Sequence, residues 1–201
     1  MTTEIFTCSY PCLPFCERDI LRYAQCRSAD TEILALLHSC MEQMQDQLRY
    51  KICYCTLPVR TDEAGCDFSL FRADSISLSR HLQNVDQVLL FAATLGIGPD
   101  RLLTRASRLS PAQALFYQAI GASQIETLCN QFCQDMTLAL NCPLLPRFSP
   151  GYGDLPLETQ RDIFRLLSCE RKIGLTLNES LLMSPSKSVT AFVGISRQTD
   201  H

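Results

Sequence analysis

The sequence predicts an α+β fold in which a central twisted, largely antiparallel sheet packs against one long helix and flanking helices. Three observations support this prediction. Apolar residues recur at helical spacing for about thirty residues after Ser110. Residues 88–93 form a continuous apolar run, typical of a strand buried on both faces. Residues 52–56 and 188–196 alternate as strands do. Since no internal repeat or linker is evident, we expect one domain over residues 1–201.

The first part of the chain predicts a helix between two less helical segments. Residues 1–16 are expected to be irregular, because Pro11 and Pro14 each disfavour helix in the residue before them. From Asp30, apolar residues step by three and four for about twenty residues, which predicts an amphipathic helix. A strand is then predicted up to Pro58.

The middle of the chain predicts short elements separated by turns. Residues 67–71 are predicted to form a short strand, and Ser79 to cap a helical turn through Leu82. Gly96 and Gly98 follow the apolar run, but the third glycine of the dinucleotide-binding fingerprint is missing. A Rossmann motif is therefore not favoured here.

The last part of the chain predicts the long helix and a second one. Ser110 followed by Pro111 is typical of a helix start, and Pro143 is expected to end the helix. A second helix is predicted to begin near residues 154–156 and to end at Gly174, which suits a helix C-terminus.

Composition excludes several classes of function. A net charge of −3 with scattered basic residues offers no surface for phosphate neutralisation, so we expect no nucleic-acid partner. No run approaches the ~18 consecutive apolar residues of a membrane span. The first twenty residues also lack a basic-then-apolar export pattern. We therefore expect a cytoplasmic protein without a membrane partner.

The twelve cysteines would suggest a disulfide framework in a secreted chain, but without an export signal reduced thiols are expected. Cys8, Cys12 and Cys16 invite a metal site at the N-terminus. The chain has no C-x-x-C pair and three histidines, so four ligands would have to converge from unrelated spacings. We predict no metal site; a thiol-based redox or metal protein is a third class that rests on cysteine count alone.

A more specific pattern begins at Arg147. With Pro150, Gly151 and Tyr152 it forms R-x-x-P-G-Y. Proline fixes one torsion and glycine permits close approach, so the loop can present backbone groups between a guanidinium and an aromatic ring. Such a loop suits a small ligand, although on chemistry alone the alternative is a structural turn in which Arg147 is a solvated surface charge. A second, irregularly spaced signature follows: Leu167, Glu170, Ile173, Gly174, Leu177, Glu179, Ser180, Met183, Pro185, Ser188 and Val189.

Together the two signatures resemble the S-adenosylmethionine-binding activation domain of cobalamin-dependent methionine synthase, in its free-standing bacterial form. The resemblance implies a protein that supports reductive methylation of cob(II)alamin on a separate methionine synthase lacking its own activation module. It implies flavodoxin or a similar protein as the electron donor. The chain has no cobalamin-binding D-x-H-x-x-G pattern, so the cobalamin is expected on the partner.

The resemblance also implies roles for individual residues. Arg147 would hold the carboxylate of S-adenosylmethionine, Ser149 would offer backbone contacts to the adenine side, and Gly151 would permit close approach of the loop. Tyr152 would pack on the ligand. Glu126 would receive the ligand's amino group, or else be an ordinary solvent-facing carboxylate. No catalytic residue is predicted, because positioning the reactants would suffice.

The chain departs from the family in two places. Relatives fused to the full synthase have an acidic residue where this chain has Asn141, and they continue with a ligand-contacting tyrosine where this sequence ends at His201. Both departures predict a weaker affinity, since each lost polar contact costs roughly 0.5–1.5 kcal/mol. The shorter C-terminus is the main support for the alternative function, a non-catalytic S-adenosylmethionine- or corrinoid-protein-binding module that has lost methyl-transfer competence.

Overall fold

The computed structural model describes residues 3–196. Its strands and helices, in chain order, are β1 (Phe6–Tyr10), α1 (Glu17–Tyr23), α2 (Thr31–Gln45), β2 (Tyr50–Pro58), β3 (Arg60–Thr61), β4 (Cys66–Asp67), β5 (Arg72–Ala73), α3 (Ile76–His81), β6 (Gln87–Thr94), α4 (Gly98–Leu109), α5 (Pro111–Leu140), α6 (Thr159–Leu167), α7 (Cys169–Ile173), β7 (Thr176–Leu177), β8 (Met183–Ser184) and β9 (Ser188–Gly194).

The main sheet has four strands in the order β1-β2-β6-β9, and every neighbouring pair is antiparallel. Ile52 of β2 lies opposite Ala93 of β6, and Ala92 of β6 lies opposite Thr190 of β9. The strands predicted from residues 52–58, 88–93 and 188–196 are therefore present, and the predicted α+β fold with a central antiparallel sheet is confirmed.

The sheet carries a hydrophobic core on each face. On one face, which we call the α5 layer, helices α1, α2, α4 and α5 cover strand residues such as Phe91 and Val193. On the other face, the α6 layer, helices α3, α6 and α7 and the small β3-β4-β5 sheet cover residues such as Leu90 and Phe192. Successive residues of β6 and β9 thus enter opposite cores, which explains the continuous apolar run.

Helix α5 starts where the sequence predicts. The Ser110 hydroxyl accepts a hydrogen bond from the backbone N–H of Gln113 at 3.4 Å, and Pro111 occupies the first turn. The helix ends at Asn141, which adopts a left-handed conformation with φ of 48°. Asparagine tolerates this conformation better than most residues, so the C-terminal cap accounts for Asn141 at this position.

The N-terminal segment is not irregular throughout, because residues 6–10 form β1. This edge strand pairs with β2, and the Phe6 ring stacks on Tyr54 at 5.5 Å between centroids. The Tyr10 hydroxyl donates to a carboxylate oxygen of Asp135 on α5 at 2.6 Å. The ladder and these tertiary contacts stabilise a strand that weak local patterning did not predict; Pro11 marks its end.

Two short elements differ from the prediction. Of residues 67–71, Asp67 ends β4 and residues 68–71 form the turn to β5. The Asp67 carboxylate accepts from the Ser69 N–H at 2.8 Å, and Ser69 is left-handed. Ser75, and not Ser79, caps α3, where its hydroxyl accepts from the Leu78 N–H at 3.0 Å.

The glycines after β6 lie at a helix start. Gly96 occupies the turn with φ of +76°, and Gly98 is the first residue of α4. A Cβ atom on Gly98 would lie 2.3 Å from the Gln47 carbonyl oxygen, so close packing on the end of α2 requires glycine. Helix α4, which begins directly after this turn, was not predicted from the sequence. The helix predicted to end at Gly174 is interrupted at left-handed Ser168, which separates α6 from α7.

No helix within residues 3–196 is long and apolar enough to cross a membrane. All twelve cysteines are free thiols, and in the described part of the chain no three histidine, cysteine or acidic side chains come together as metal ligands would. Cys53 and Cys169 form a buried pair with their sulfur atoms 3.9 Å apart. They join β2 to α7 inside the α6-layer core.

Candidate functional site

The loop that carries R-x-x-P-G-Y lies along the free edge of β9. Phe148 and Phe192 exchange backbone hydrogen bonds of 2.9 and 2.8 Å, which fixes the loop in register with the strand. Gly151 then turns the chain with φ of +91°, a conformation that favours glycine, and its N–H donates to the Leu155 carbonyl oxygen at 2.9 Å. The loop is therefore an ordered extension of the sheet.

The far end of the loop is tied to α3 by Asp154. Its carboxylate accepts the Ser75 hydroxyl at 2.5 Å and the backbone N–H groups of Ile76 and Ser77 at 2.9 and 3.0 Å. The hydrogen bonds from Ser75 and from the α3 backbone hold the pKa of Asp154 well below its usual range. Asp154, which the sequence placed at the start of the next helix, instead anchors the loop.

Arg147 lies next to Phe148 and reaches α5. One of its terminal nitrogens, Nη2, donates to the Glu126 carboxylate at 2.7 Å and to the Asn130 amide oxygen at 3.0 Å. Glu126 and Asn130 are four residues apart, so they share one face of the helix. Burial raises the pKa of the Cys129 thiol, which lies between them, to about 12, although the Arg147 guanidinium acts to lower it. The thiol is therefore not an activated nucleophile.

Arg147 and Glu126 open onto a cavity of about 410 Å³ that lies at the edge of β9. Four of the five predicted site residues line this cavity. The fifth, Gly151, does not line it but shapes the loop between Ser149 and Tyr152, which do. The lining residues are Glu126, Pro146, Arg147, Ser149, Pro150, Tyr152, Gln160, Met183, Ser188, Val189 and Thr190. The structure thus brings together residues from α5, the loop, α6 and the C-terminal strands.

Three buried polar atoms distinguish this cavity. Within residues 3–196, the buried side-chain nitrogen and oxygen atoms without a hydrogen-bond partner are Arg147 Nη1, Gln160 Oε1 and Thr190 Oγ1. All three residues line the cavity. Leaving a buried polar group unpaired costs roughly 1–3 kcal/mol, and native proteins pair nearly all of them. Their coincidence on one cavity makes it the candidate ligand site.

The polar groups come from both layers of the fold. Glu126 lies on α5, and Arg147 reaches it on that side of the sheet. Thr190 shares its face of β9 with Phe192, which belongs to the α6-layer core, and Gln160 lies on α6 itself. The cavity therefore crosses the sheet edge, with a charged pair on the α5 side and a neutral pair on the α6 side.

Tyr152 leaves an aromatic face available at the cavity. It is 57% exposed, and its ring meets Phe148 edge-on at 5.9 Å between centroids. Its backbone N–H donates to the Ser149 carbonyl oxygen at 3.0 Å, so the turn holds both residues at the cavity wall. An exposed ring on a fixed turn can pack on a ligand without further ordering of the backbone.

The second signature supplies part of the cavity and part of its support. Ser188 lines it, while its hydroxyl donates to the Pro185 carbonyl oxygen at 2.8 Å and bonds the Thr94 hydroxyl at 2.8 Å. The Arg161 guanidinium donates to the Glu179 carbonyl oxygen at 3.2 Å, which ties α6 to the turn between β7 and β8. Met183, Gln160 and Thr190 complete the lining but were not predicted as site residues.

A larger cavity, of about 770 Å³, lies against α6 and α7. Arg161, Arg165 and Arg171 line it, but in the described part of the chain it contains none of the unpaired buried polar atoms. Size alone would favour it. We assign the functional site to the smaller cavity, because unpaired buried groups are a more specific sign of a ligand than volume is.

The chain is similar to a known protein family and to a solved structure. Residues 146–200 match the family model of the vitamin B12 dependent methionine synthase activation domain, so the match contains the loop and β9. The fold is similar to that of the MetH reactivation domain bound to AdoHcy, with a TM-score of 0.70, 13% identity, and 99% of this chain and 80% of that chain covered. No curated protein matches the sequence. The resemblance predicted from the two signatures is confirmed.

Proposed function

Because residues 146–200 match the methionine synthase activation domain family, we propose that this protein binds S-adenosylmethionine and supports reductive methylation of cob(II)alamin on a separate methionine synthase. The observation that carries the proposal is the buried, unpaired Nη1 of Arg147 at the cavity. A guanidinium nitrogen in this position calls for an anionic acceptor, and the carboxylate of an amino acid ligand supplies one.

The charged pair fits the amino acid end of this ligand. Arg147 Nη2 is held by Glu126 and Asn130, which leaves Nη1 to meet the carboxylate. Glu126, whose side chain is 43% exposed, can accept from the ligand's ammonium group while still orienting Arg147. An α-amino acid group carries both charges a short distance apart, so it matches the pair better than a simple anion does.

The rest of the loop fits the remainder of the ligand. Ser149 and its neighbours present backbone groups to the adenine side, and the exposed ring of Tyr152 packs on the ligand near the sulfonium. Bound here, S-adenosylmethionine supplies an electrophilic methyl group that passes to the cobalt of reduced cobalamin, leaving S-adenosylhomocysteine. The protein's own contribution is to hold and orient the ligand at an open cavity, which a cobalamin on another polypeptide can approach.

The partners follow from the same proposal. The cobalamin is carried by a methionine synthase that lacks its own activation module. One electron per cob(II)alamin comes from flavodoxin or a similar donor, and the complex forms in the cytoplasm. The alternative is a binding module without methyl-transfer competence. Asn141, where the chain departs from the family, caps α5, so the fold supplies a structural reason for this residue.

Binding is tested first by isothermal titration calorimetry with S-adenosylhomocysteine and S-adenosylmethionine. We expect saturable binding of one ligand per chain. The absence of binding at millimolar ligand would contradict the proposed activation function. It would equally contradict the alternative of a non-catalytic S-adenosylmethionine-binding module.

Activation is tested with cobalamin-loaded methionine synthase from which its own activation domain has been removed. In the cob(II)alamin state, with a flavodoxin system and S-adenosylmethionine, addition of this protein should accelerate the appearance of the methylcobalamin spectrum. Omitting S-adenosylmethionine is the control for reduction alone. Binding without acceleration would favour the non-catalytic module instead.

A further inference from the structure

We propose that Gln160 and Thr190 hold the nucleoside half of the ligand and thereby divide the cavity into two subsites. This inference rests on the proposed function and deepens it. Neither residue belongs to the R-x-x-P-G-Y loop or to the second signature. The geometry gives them a task that the charged pair cannot perform, namely recognition of uncharged hydrogen-bond donors.

Gln160 and Thr190 are buried, and each has a side-chain oxygen without a hydrogen-bond partner in the described part of the chain. Gln160 is 5% and Thr190 is 2% exposed, yet Oε1 of the first and Oγ1 of the second have no partner within residues 3–196. Both residues line the cavity. Groups buried to this degree are normally paired, so a ligand that supplies their partners recovers the desolvation cost that the free protein carries.

Both residues lie on regular secondary structure, Gln160 on α6 and Thr190 on β9. The Gln160 N–H donates to the Leu157 carbonyl oxygen at 3.1 Å in the first turn of α6, and Thr190 lies in the β6–β9 ladder opposite Ala92. Side chains carried on a helix and a strand are placed more accurately than side chains on a loop. The two side chains are thus carried on fixed backbone positions at the cavity before a ligand arrives.

The position of the pair assigns the half of the ligand. Arg147 and Glu126 enter from the α5 side and bring two charges, which fit the amino acid group. Gln160 and Thr190 belong to the α6 side and bring no charge. S-Adenosylmethionine has the same division, with a zwitterionic amino acid at one end and a neutral nucleoside at the other.

The chemistry of the two side chains defines what they take. The carboxamide oxygen of Gln160 accepts from an N–H or an O–H, and the Thr190 hydroxyl both donates and accepts. A nucleoside offers such donors in its exocyclic amine and in its ribose hydroxyls. A ligand without these groups would leave both atoms buried and unpaired.

The test uses two probes that differ in the amino acid half. S-Adenosylhomocysteine carries both halves, whereas 5′-methylthioadenosine carries the nucleoside alone. We expect Gln160→Leu and Thr190→Val each to raise Kd for both probes by a similar factor of about 3–10, the range for a neutral hydrogen bond. Arg147→Ala should weaken the binding of S-adenosylhomocysteine but not that of 5′-methylthioadenosine. Arg165→Ala, on an arginine whose side chain is 82% exposed and lines the other cavity, is the matched control and should change neither affinity.

Thermal unfolding separates a ligand contact from a structural one. Each apolar replacement removes an unpaired buried atom, so in the absence of ligand Tm should stay the same or rise. The gain in Tm on adding ligand should shrink. A lower Tm of the free variant together with unchanged affinity would show that the residues support the fold, and would overturn the proposal.

Two further results would also overturn it: unchanged Kd for both probes in the two variants, or a loss confined to S-adenosylhomocysteine. If the wild type binds neither probe, the proposed function itself fails. Repeating the Gln160→Leu comparison with 5′-methylthioinosine identifies the donor. If Gln160→Leu no longer raises Kd for this probe, the donor is the exocyclic amine. If Kd still rises, the donor is a ribose hydroxyl. Both results support the subsite.

Discussion

Arg147 and Asp154 are charged residues of the same loop, but their hydrogen bonding is opposite. Asp154 is exposed, and its two oxygens accept three hydrogen bonds from the start of α3. Arg147 is largely buried, and one of its nitrogens has no partner in the described part of the chain. Charge in a loop therefore does not by itself indicate function. A saturated group fixes the loop, and an unsaturated one is available to a ligand.

The comparison is tested most strongly by Arg147→Ala. Loss of the guanidinium should raise Kd for S-adenosylhomocysteine about 10- to 100-fold, because a hydrogen bond to a charged group contributes roughly 1.5–3 kcal/mol. Calorimetry measures this, and circular dichroism should show that the fold is kept. A Kd within twofold of the wild type would show that the free nitrogen is not a ligand contact.

Asp154→Asn should have the opposite profile. The amide keeps one acceptor but loses the charge and a hydrogen bond at α3, so Tm should fall measurably at pH 7. The affinity should fall less than with Arg147→Ala, since Asp154 does not line the cavity. Differential scanning fluorimetry and calorimetry on the same preparations give both values. Loss of affinity with unchanged Tm would reverse the roles that we assign to the two ends of the loop.

The dependence of stability on pH sharpens the same contrast. Because the pKa of Asp154 in the folded protein lies below the ordinary value of 3.8, ionised Asp154 stabilises the fold above that value. The contribution is lost as the pH falls further, through the folded-state pKa. The difference in Tm between wild type and Asp154→Asn should therefore be constant from pH 7 to about 5 and narrow below about 4. A difference that widens on acidification would contradict this sign.

Glu126→Gln should give the smallest effect. The amide can still accept from Arg147 Nη2, and Asn130 continues to hold the same nitrogen. What is lost is the negative charge facing the ligand's ammonium group, so Kd should rise about 3- to 10-fold, corresponding to roughly 0.5–1.5 kcal/mol. Measuring 5′-methylthioadenosine in parallel checks the cause, because a probe without the ammonium group should bind the variant and the wild type equally.

The sequence predicts most of the fold where local rules decide the structure. Helix α5 follows from its Ser-Pro start and its periodicity, and β6 follows from its apolar run. Prediction from the sequence fails where tertiary contacts decide the structure. Strand β1 depends on pairing with β2, and the first residue of α4 is a glycine because the end of α2 packs against it. No local pattern carries that information.

The site divides in the same way. The motif placed Arg147, Ser149 and Tyr152 together, and Glu126, the least certain of the predicted residues, does meet Arg147. Gln160 and Thr190 gave no signal, since glutamine in a first helical turn and threonine in an alternating strand are typically solvent-facing. Their significance lies in burial without a partner, which is a property of the assembled fold.

The pairing of the loop with β9 has a consequence for solubility. β9 is the last strand of the sheet, and the isolated bridges at Phe148 and Leu144 occupy backbone groups of Phe192 and Ile195 that would otherwise face outward. An uncovered sheet edge is a template for pairing between molecules. The segment from Leu144 to Phe148 covers part of this edge, so we expect changes that detach it to promote aggregation even where the cores remain intact.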